Sequence, residues 1–385
     1  MVRVSLVVDR YRAANVRGGT SSISPVRHGA DIDEIQAVAT ATAGPTDLRL
    51  LTCEQIFEEA VASATAGIWR FTDDSWSVIL KVLRHQAGGS PRWQSGEDED
   101  HWYYWRREAL AYSSGLLAHL ARPLRAPRCY GVFDRPDGSI GLWLEDLRFA
   151  APAAAWPLNR YRLAAFALGT AQGRVAASGD LPTERWLARH WLRRYVERRQ
   201  QFLSHLDDRD TRRLPLVSRH VRPELGVETR AIWDDRERLL AIVEAAPQTL
   251  CHLDLHPGNL FAADGETVLI DWGFMGLGAL GEDAGNLIFD AVFDFFVPAE
   301  RIAVLAEAVS GGYLGGLEAS GWRGDTGTVL QALHATAAVK YFWIFPAMLE
   351  AAAGGKSTLN GAPIEECFAQ WAPVVPELVA FARRV

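Results

Sequence analysis

Lysine is almost absent from this chain. Lys81, Lys340 and Lys356 are its only lysines, although lysine and arginine together number 40. Where arginine serves nearly everywhere, a lysine in an apolar segment marks a place that wants a compact ammonium and not a planar guanidinium. Cysteine is scarce too. Cys53, Cys129, Cys251 and Cys367 show no CxxC spacing, which argues against a zinc ribbon or a disulfide framework and fits a reducing compartment. There is no basic excess: the net charge of −7 argues against a general nucleic-acid binder. Long apolar runs are missing as well. The run at residues 4–8 stops at Asp9 and Arg10, too short for the core of a signal peptide. Residues 335–353 contain Lys340 and Glu350 and read as a buried helix. These absences predict a cytoplasmic protein without nucleic-acid or membrane partners, and they leave the oligomeric state open.

What is present is the composition of a globular chain. Over 385 residues, 49% are apolar and 23% charged, enough for a large core in two domains or one bilobal one. Residues 1–47 read as a flexible N-terminal extension, because the run Gly18-Gly19-Thr20-Ser21-Ser22 is small, polar and aperiodic. Residues 48–147 carry strand patterns. A helix at 53–62 precedes a hairpin of 67–71 and 76–83 around Asp73-Asp74. A polar loop at 87–100, an aromatic-rich helix at 101–120 and strands at 130–133 and 140–144 follow. Residues 148–385 are dominated by helices, at 159–177, 184–206 and 231–244, with one strand pair at 259–262 and 267–271. Strands first and helices later predict an α+β chain: a small antiparallel-sheet lobe, then a larger, mainly helical lobe.

The most informative segment is Cys251-His252-Leu253-Asp254-Leu255-His256-Pro257-Gly258-Asn259-Leu260-Phe261. It is followed by the apolar strand Thr267-Val268-Leu269-Ile270 and then Asp271-Trp272-Gly273. One carboxylate can meet a substrate hydroxyl, while an amide and a second carboxylate can hold Mg²⁺ against nucleotide phosphates.

This pattern resembles the catalytic loop and metal-binding segment of the protein-kinase-like superfamily, and most closely its aminoglycoside phosphotransferase and choline kinase branch. Protein kinases usually carry Arg and Lys where this chain has Leu253 and His256. The resemblance covers about residues 52–290. It implies a bilobal protein-kinase-like fold with ATP, or GTP, and Mg²⁺ between the lobes. On that basis Asp254 receives the proton of the acceptor hydroxyl and His256 adds positive charge. Asn259 and Asp271 hold the metal, His252 braces the loop, and Asp283 supports it from behind.

The same resemblance implies a strand lysine that binds the phosphates and a helix glutamate that holds it. Lys81, in Val78-Ile79-Leu80-Lys81-Val82-Leu83, fits the first, and Glu108 the second, with Glu97 and Glu99 of the polar loop as alternatives. Leu142-Trp143-Leu144-Glu145-Asp146-Leu147 resembles the interlobe connection whose backbone binds the adenine edge. The phosphate-covering loop is a departure, since Ser63-Ala64-Thr65-Ala66-Gly67 has a single glycine.

Two rival motifs fail on context. Gly276-Leu277-Gly278-Ala279-Leu280-Gly281 matches G-x-G-x-x-G, but no βαβ unit follows and the preceding strand already ends in Asp271; it reads as a mobile segment. Gly354-Gly355-Lys356-Ser357 has Glu350 where a phosphate loop needs glycine. The arginines of residues 184–206 read as a charged surface helix, and residues 334–348 as core. Glu282, Asp283, Asp290 and Asp294 would suit a cationic acceptor. The resulting expectation is an ATP-dependent phosphotransferase acting on a small-molecule hydroxyl. A peptide or protein Ser/Thr kinase, for example in ribosomal-peptide tailoring, and a catalytically silent nucleotide-binding scaffold are the alternatives.

Overall fold

A computed structural model describes residues 32–42, 51–57, 63–74, 76–87 and 93–385. The glycine–serine run of the extension, residues 58–62 of the expected first helix and part of the polar loop lie outside the described residues. Contacts divide the chain into two compact units. One runs through Ala154 and takes back Glu184–Ala188 and Gly258–Met275. The other consists of Ala155–Thr183, Arg189–Pro257 and Gly276–Val385.

The first unit is built on a five-stranded antiparallel sheet. Its strands are β1 (Thr52–Phe57), β2 (Thr65–Thr72), β3 (Ser77–Leu83), β5 (Cys129–Asp134) and β6 (Ile140–Glu145), in the order β1-β2-β3-β6-β5. Alternation along β2 and the apolar run of β3 bury one face against helix α1 (Ile32–Thr42). Ile35, Val38 and Ala39 share a core with Trp69, Phe71, Val78, Leu80 and Trp143. Residues 32–42 of the expected extension are therefore an integral helix. Glu34 is buried with them and accepts hydrogen bonds from Arg135 at 2.8 and 2.6 Å and from Trp143 Nε1 at 3.0 Å.

The expected helix at 53–62 is corrected: its first part is the edge strand β1. Thr52 faces Thr72, their hydroxyls 2.6 Å apart, and Glu54 faces Arg70. These cross-strand pairs outweigh the helix preference of Glu and Gln. The aromatic segment 101–106 is turns, and only α2 (Arg107–Ser113), followed by a 3₁₀ turn at Leu116–His119, is helical. A small second sheet joins β4 (Leu124–Arg125), β10 (Glu266–Leu269), β9 (Leu260–Ala263) and β7 (Ala151–Pro152) in that order.

The second unit is helical apart from two short strand pairs. Its principal helices are α3 (Leu158–Ser178), α4 (Trp191–Arg198), α5 (Leu225–Asp234), α6 (Arg236–Ala245), α7 (Glu282–Phe293), α8 (Ile302–Ala319), α9 (Thr326–Tyr341), α10 (Ile344–Ala353), α11 (Ile364–Trp371) and α12 (Val375–Arg383). Helices α3 and α8 touch backbone to backbone: a Cβ on Gly316 would lie 2.2 Å from the Phe166 carbonyl oxygen. The expected long helix at 184–206 is interrupted. His190 is left-handed (φ 51°), α4 starts after it, and Gln200–Asp207 is 3₁₀. Strand β8 (Gln248–Cys251) pairs antiparallel with β11 (Gly276–Ala279). The glycine motif expected to be mobile is therefore strand, closed by Gly281 at φ 99° at the start of α7.

Candidate functional site

Lys81 lies in the middle of the five-stranded sheet, on β3, paired with Ile68 of β2 and Leu142 of β6. Its Nζ is 2.6 Å from Glu108 Oε2 and 3.0 Å from Asp271 Oδ1. Glu108 is in the first turn of α2 and buried, whereas the Asp271 side chain is 48% exposed. The ammonium thus links an interior carboxylate to one that faces outward. Burial works to lower the Lys81 pKa, but Asp271 and Glu108 together carry it above the ordinary value, so Lys81 remains charged. Burial pushes Glu108 up, against the pull of Lys81. The alternative partner Glu97 stands 3.7 Å from His85, and Glu99 3.5 Å from Arg185.

Arg107 was not singled out from the sequence. Its side chain is fully buried, and its guanidinium donates to the carbonyls of Trp186 (2.8 Å), His101 (2.9 Å), Trp102 (3.1 Å) and Gly273 (3.3 Å). Five fixed donors can gather carbonyls from separate turns, and here they tie the start of α2 to the segment just after Asp271. Phe274 completes the anchor, 4.7 Å from the Tyr103 ring and 5.7 Å from Trp102. Asp271 itself has φ 63°, an uncommon backbone for a non-glycine residue. The only sequence signal for Arg107 was an arginine beside Glu108 in an aromatic run.

Asn259 ends a 3₁₀ turn (Pro257–Asn259) and is buried. Its carbonyl accepts the amide of Ile270 at 3.0 Å, extending the β9–β10 register by one pair. Asn259 and Asp271 therefore sit at the same open end of one hairpin. An amide oxygen and a carboxylate are hard donors of the kind Mg²⁺ takes, usually only one or two from protein with phosphate and water completing the shell. Among the described residues no group of three or more His, Cys, Asp or Glu side chains forms a complete metal cage.

Glu145 and Asp146 end β6 with their side chains engaged. Burial opposes ionisation of Glu145, but Arg125, at 2.6 and 2.9 Å, and the Arg128 amide hold its carboxyl below the ordinary range. Asp146 pairs with Arg70 at 2.9 Å and accepts from Ser77. The side chains of Glu145 and Asp146 are thus committed to pairs within the unit. Ser63 and Ala64 form a turn ahead of β2, and the Ser63 hydroxyl donates to Trp93 O at 2.7 Å.

In the second unit the loop after β8 is held from beneath by one carboxylate. Asp283, wholly buried on α7, accepts the amides of His252 and Leu253, each at 2.8 Å, and Gln172 Nε2 at 2.8 Å. Leu253 is thereby kept at φ 67°. The buried His252 ring accepts the Asp254 amide through Nδ1 at 3.3 Å, and Asn286 Nδ2 donates to Leu253 O at 3.4 Å. Gln172, on α3, was also missed by the sequence reading. It is fixed by Tyr313, whose hydroxyl donates to its Oε1 at 2.6 Å. Asp254 itself is partly exposed at the end of this scaffold.

His256 Nδ1 lies 3.7 Å from Asp294, and Lys340 Nζ lies 3.7 Å from Asp290. Burial raises both aspartates, Asp294 to about 7. Glu282 is raised to about 8 by burial and by neighbouring Asp283, although it accepts the Ala279 amide at 3.1 Å. Arg193 of α4 is held by Glu244 and Glu237, each at 2.7 Å, so part of the arginine-rich stretch serves the unit's own surface.

The sequence pattern of the phosphotransferase enzyme family matches residues 68–323, more than half of the chain. The chain belongs to that family. No curated protein matches it. Solved structures show that the fold is that of kinase-like phosphotransferases. An amicoumacin kinase in complex with AMP-PNP and Ca²⁺ superposes with a TM-score of 0.54 at 14% identity, covering 91% of this chain and 95% of its own. A spectinomycin phosphotransferase in complex with ADP and spectinomycin gives 0.55 at 13% identity, covering 93% and 100%. A choline kinase from Cryptosporidium parvum gives 0.54 at 12% identity, covering 92% and 96%. The small antiparallel sheet and the larger helical part expected from the sequence are those of this family's fold. Among the described residues no helix is long and apolar enough to cross a membrane.

Proposed function

We propose that this protein transfers the γ-phosphoryl group of ATP, or GTP, to a hydroxyl of a small molecule. The observation that carries the reading is Lys81 held between buried Glu108 and outward-facing Asp271, at 2.6 and 3.0 Å. A lysine that only stabilised a sheet would not need a second, exposed carboxylate beyond the first. Lys81 would donate to the α- and β-phosphates, and Glu108 would keep it in place. Asn259 and Asp271 would hold Mg²⁺, which when bound supplies charge neutralisation for the phosphates. Asp254 would orient the acceptor hydroxyl and take its proton, while His252 and Asp283 keep the loop in one geometry. His256, 3.7 Å from Asp294, would contribute positive charge near the acceptor. Because the transferring group passes through a loose transition state, positioning and charge supply most of the gain.

Calorimetry with Mg·AMP-PNP tests the nucleotide half of this reading. Wild type should bind, Lys81→Ala and Asp271→Ala should bind at least ~10-fold more weakly, and Asp254→Asn should bind as wild type does. Equal binding by wild type and Asp271→Ala would overturn it.

A further inference from the structure

The second of the three lysines occupies an unusual place. Lys340, on α9, is 3% exposed and has no hydrogen-bond acceptor at its Nζ. It is surrounded by rings: Nζ is 5.4 Å from the Trp191 centroid, 5.9 Å from Tyr195 and 5.2 Å from Tyr341. Trp191 and Tyr195 stack on each other at 5.1 Å, one turn apart on α4, and make a continuous wall. Asp290 of α7, 3.7 Å from Nζ, is the nearest carboxylate. Three aromatic faces and one carboxylate around a positive charge form a cage that attracts cations, quaternary ammonium groups above all. Here the cage already holds a cation, and that cation is tethered to the chain. Asp290 is partly exposed and stands one turn before Asp294, whose carboxylate is 3.7 Å from His256 Nδ1, so the end of α7 carries both the cage and a contact to the loop of the proposed acceptor base.

The chemistry favours an ammonium and not a guanidinium. Arginine's longer fork would need hydrogen-bond acceptors that the rings do not offer, whereas a compact ammonium is held by ring faces and a single carboxylate. A chain that uses arginine for 37 of its 40 basic residues keeps lysine at this point.

We propose that Lys340 is a specificity-determining residue: its ammonium fills the aromatic cage over Asp290, so the protein refuses alcohols that carry a quaternary ammonium and accepts an alcohol without a fixed positive charge. This rests on the phosphotransferase reading and narrows it. It also reverses the inference that the acidic residues of α7 favour a cationic acceptor, since Asp290 already has its cation.

The test uses the full-length protein and choline as the probe, read by tryptophan fluorescence, to which Trp191 at the cage contributes. Wild type should show no saturable quenching by choline and no choline-dependent ATP consumption. K340A should be quenched saturably, at least ~10-fold more tightly than wild type, because the emptied cage regains its affinity for a cation. Should K340A alone fail to fold, the double variant K340A/D290N, which leaves no unpaired carboxylate and keeps the three ring faces, should still bind choline more tightly than wild type, with a smaller gain than that expected of K340A. Saturable quenching of wild type equal to that of the folded variant, or phosphorylation of choline by wild type, would overturn the proposal. Mg·AMP-PNP calorimetry on the same samples separates the two readings. Loss of nucleotide binding in wild type would refute the phosphotransferase reading, while the quenching comparison still decides the cage.

Discussion

Asp283 accepts the amide hydrogen of Leu253 at 2.8 Å, and Leu253 sits at φ 67°. A leucine in the left-handed region costs about 1 kcal/mol and persists only where its surroundings over-determine it. The same carboxylate takes the His252 amide and Gln172 Nε2, so one buried group sets the backbone just before Asp254.

Asp283→Asn should therefore be far from conservative. An amide has a single oxygen and would aim its NH₂ at one of the backbone donors. We expect a loss of about 2–4 kcal/mol in urea unfolding, together with a large fall in turnover. An unchanged unfolding midpoint would show that the carboxylate does not hold the loop.

Lys81 and Glu108 should behave as one unit. Lys81→Arg should reduce turnover by ~10-fold or more, and Glu108→Gln should cause a smaller loss in the same parameter. The double variant should fall well short of the sum of the two effects. Strict additivity, measured as a double-mutant cycle in kcat/KM, would mean that the 2.6 Å contact plays no part in turnover.

Arg107 makes a sharper structural prediction. Arg107→Lys retains the charge but cannot reach four carbonyls from separate turns. We expect a stability loss of about 3 kcal/mol from buried carbonyls left unpaired. We also expect faster hydrogen exchange in the segment after Asp271. Wild-type protection of that segment in the variant would refute the clamp.

How much of this was legible in the sequence depended on distance along the chain. Asp254, Asn259 and Asp271 were singled out because they lie in two neighbouring segments whose spacing has a physical logic, and Lys81 because the family resemblance implies a strand lysine and the chain has only three lysines. Glu108 was singled out because the same resemblance implies a helix glutamate that holds the lysine. Arg107 and Gln172 were not, because their partners lie far away in sequence: Gly273 for Arg107, Asp283 and Tyr313 for Gln172. Helix α1 was hidden by the aperiodic run before it, although Ile35, Val38 and Ala39 do carry a helical period. The segment at 53–62 was misread because Glu and Gln favour helices in isolation, whereas pairing with β2 decides the matter in the fold. The glycines at 276–281 looked mobile, but the lack of a side chain at Gly278 fits a strand position crowded by Cys251 and Glu282.

Glu282 gives a pH prediction. Its carboxyl is raised by burial from 4.5 to about 8. Below that ordinary value both folded and unfolded chains hold the proton. Between it and about 8 the unfolded chain releases the proton while the folded chain keeps it, so stability falls as the pH rises, and above about 8 the loss is complete. Glu282→Gln removes this dependence and can still accept the Ala279 amide. Melting curves should nearly coincide at low pH, and by about pH 9 the variant should melt at least ~3 °C higher. A variant that melted lower than wild type at high pH would contradict the assignment.

The most direct measurement of the central claim is product mass. Wild type, Asp254→Asn and Asp271→Ala are incubated with Mg·ATP and a panel of small hydroxylated molecules that includes uncharged members, and each acceptor is examined for the gain of one phosphoryl group. The account predicts a phosphorylated acceptor with wild type. It predicts at least ~100-fold less with Asp254→Asn despite intact nucleotide binding, and none with Asp271→Ala. Product formed by Asp254→Asn at the wild-type rate would contradict it.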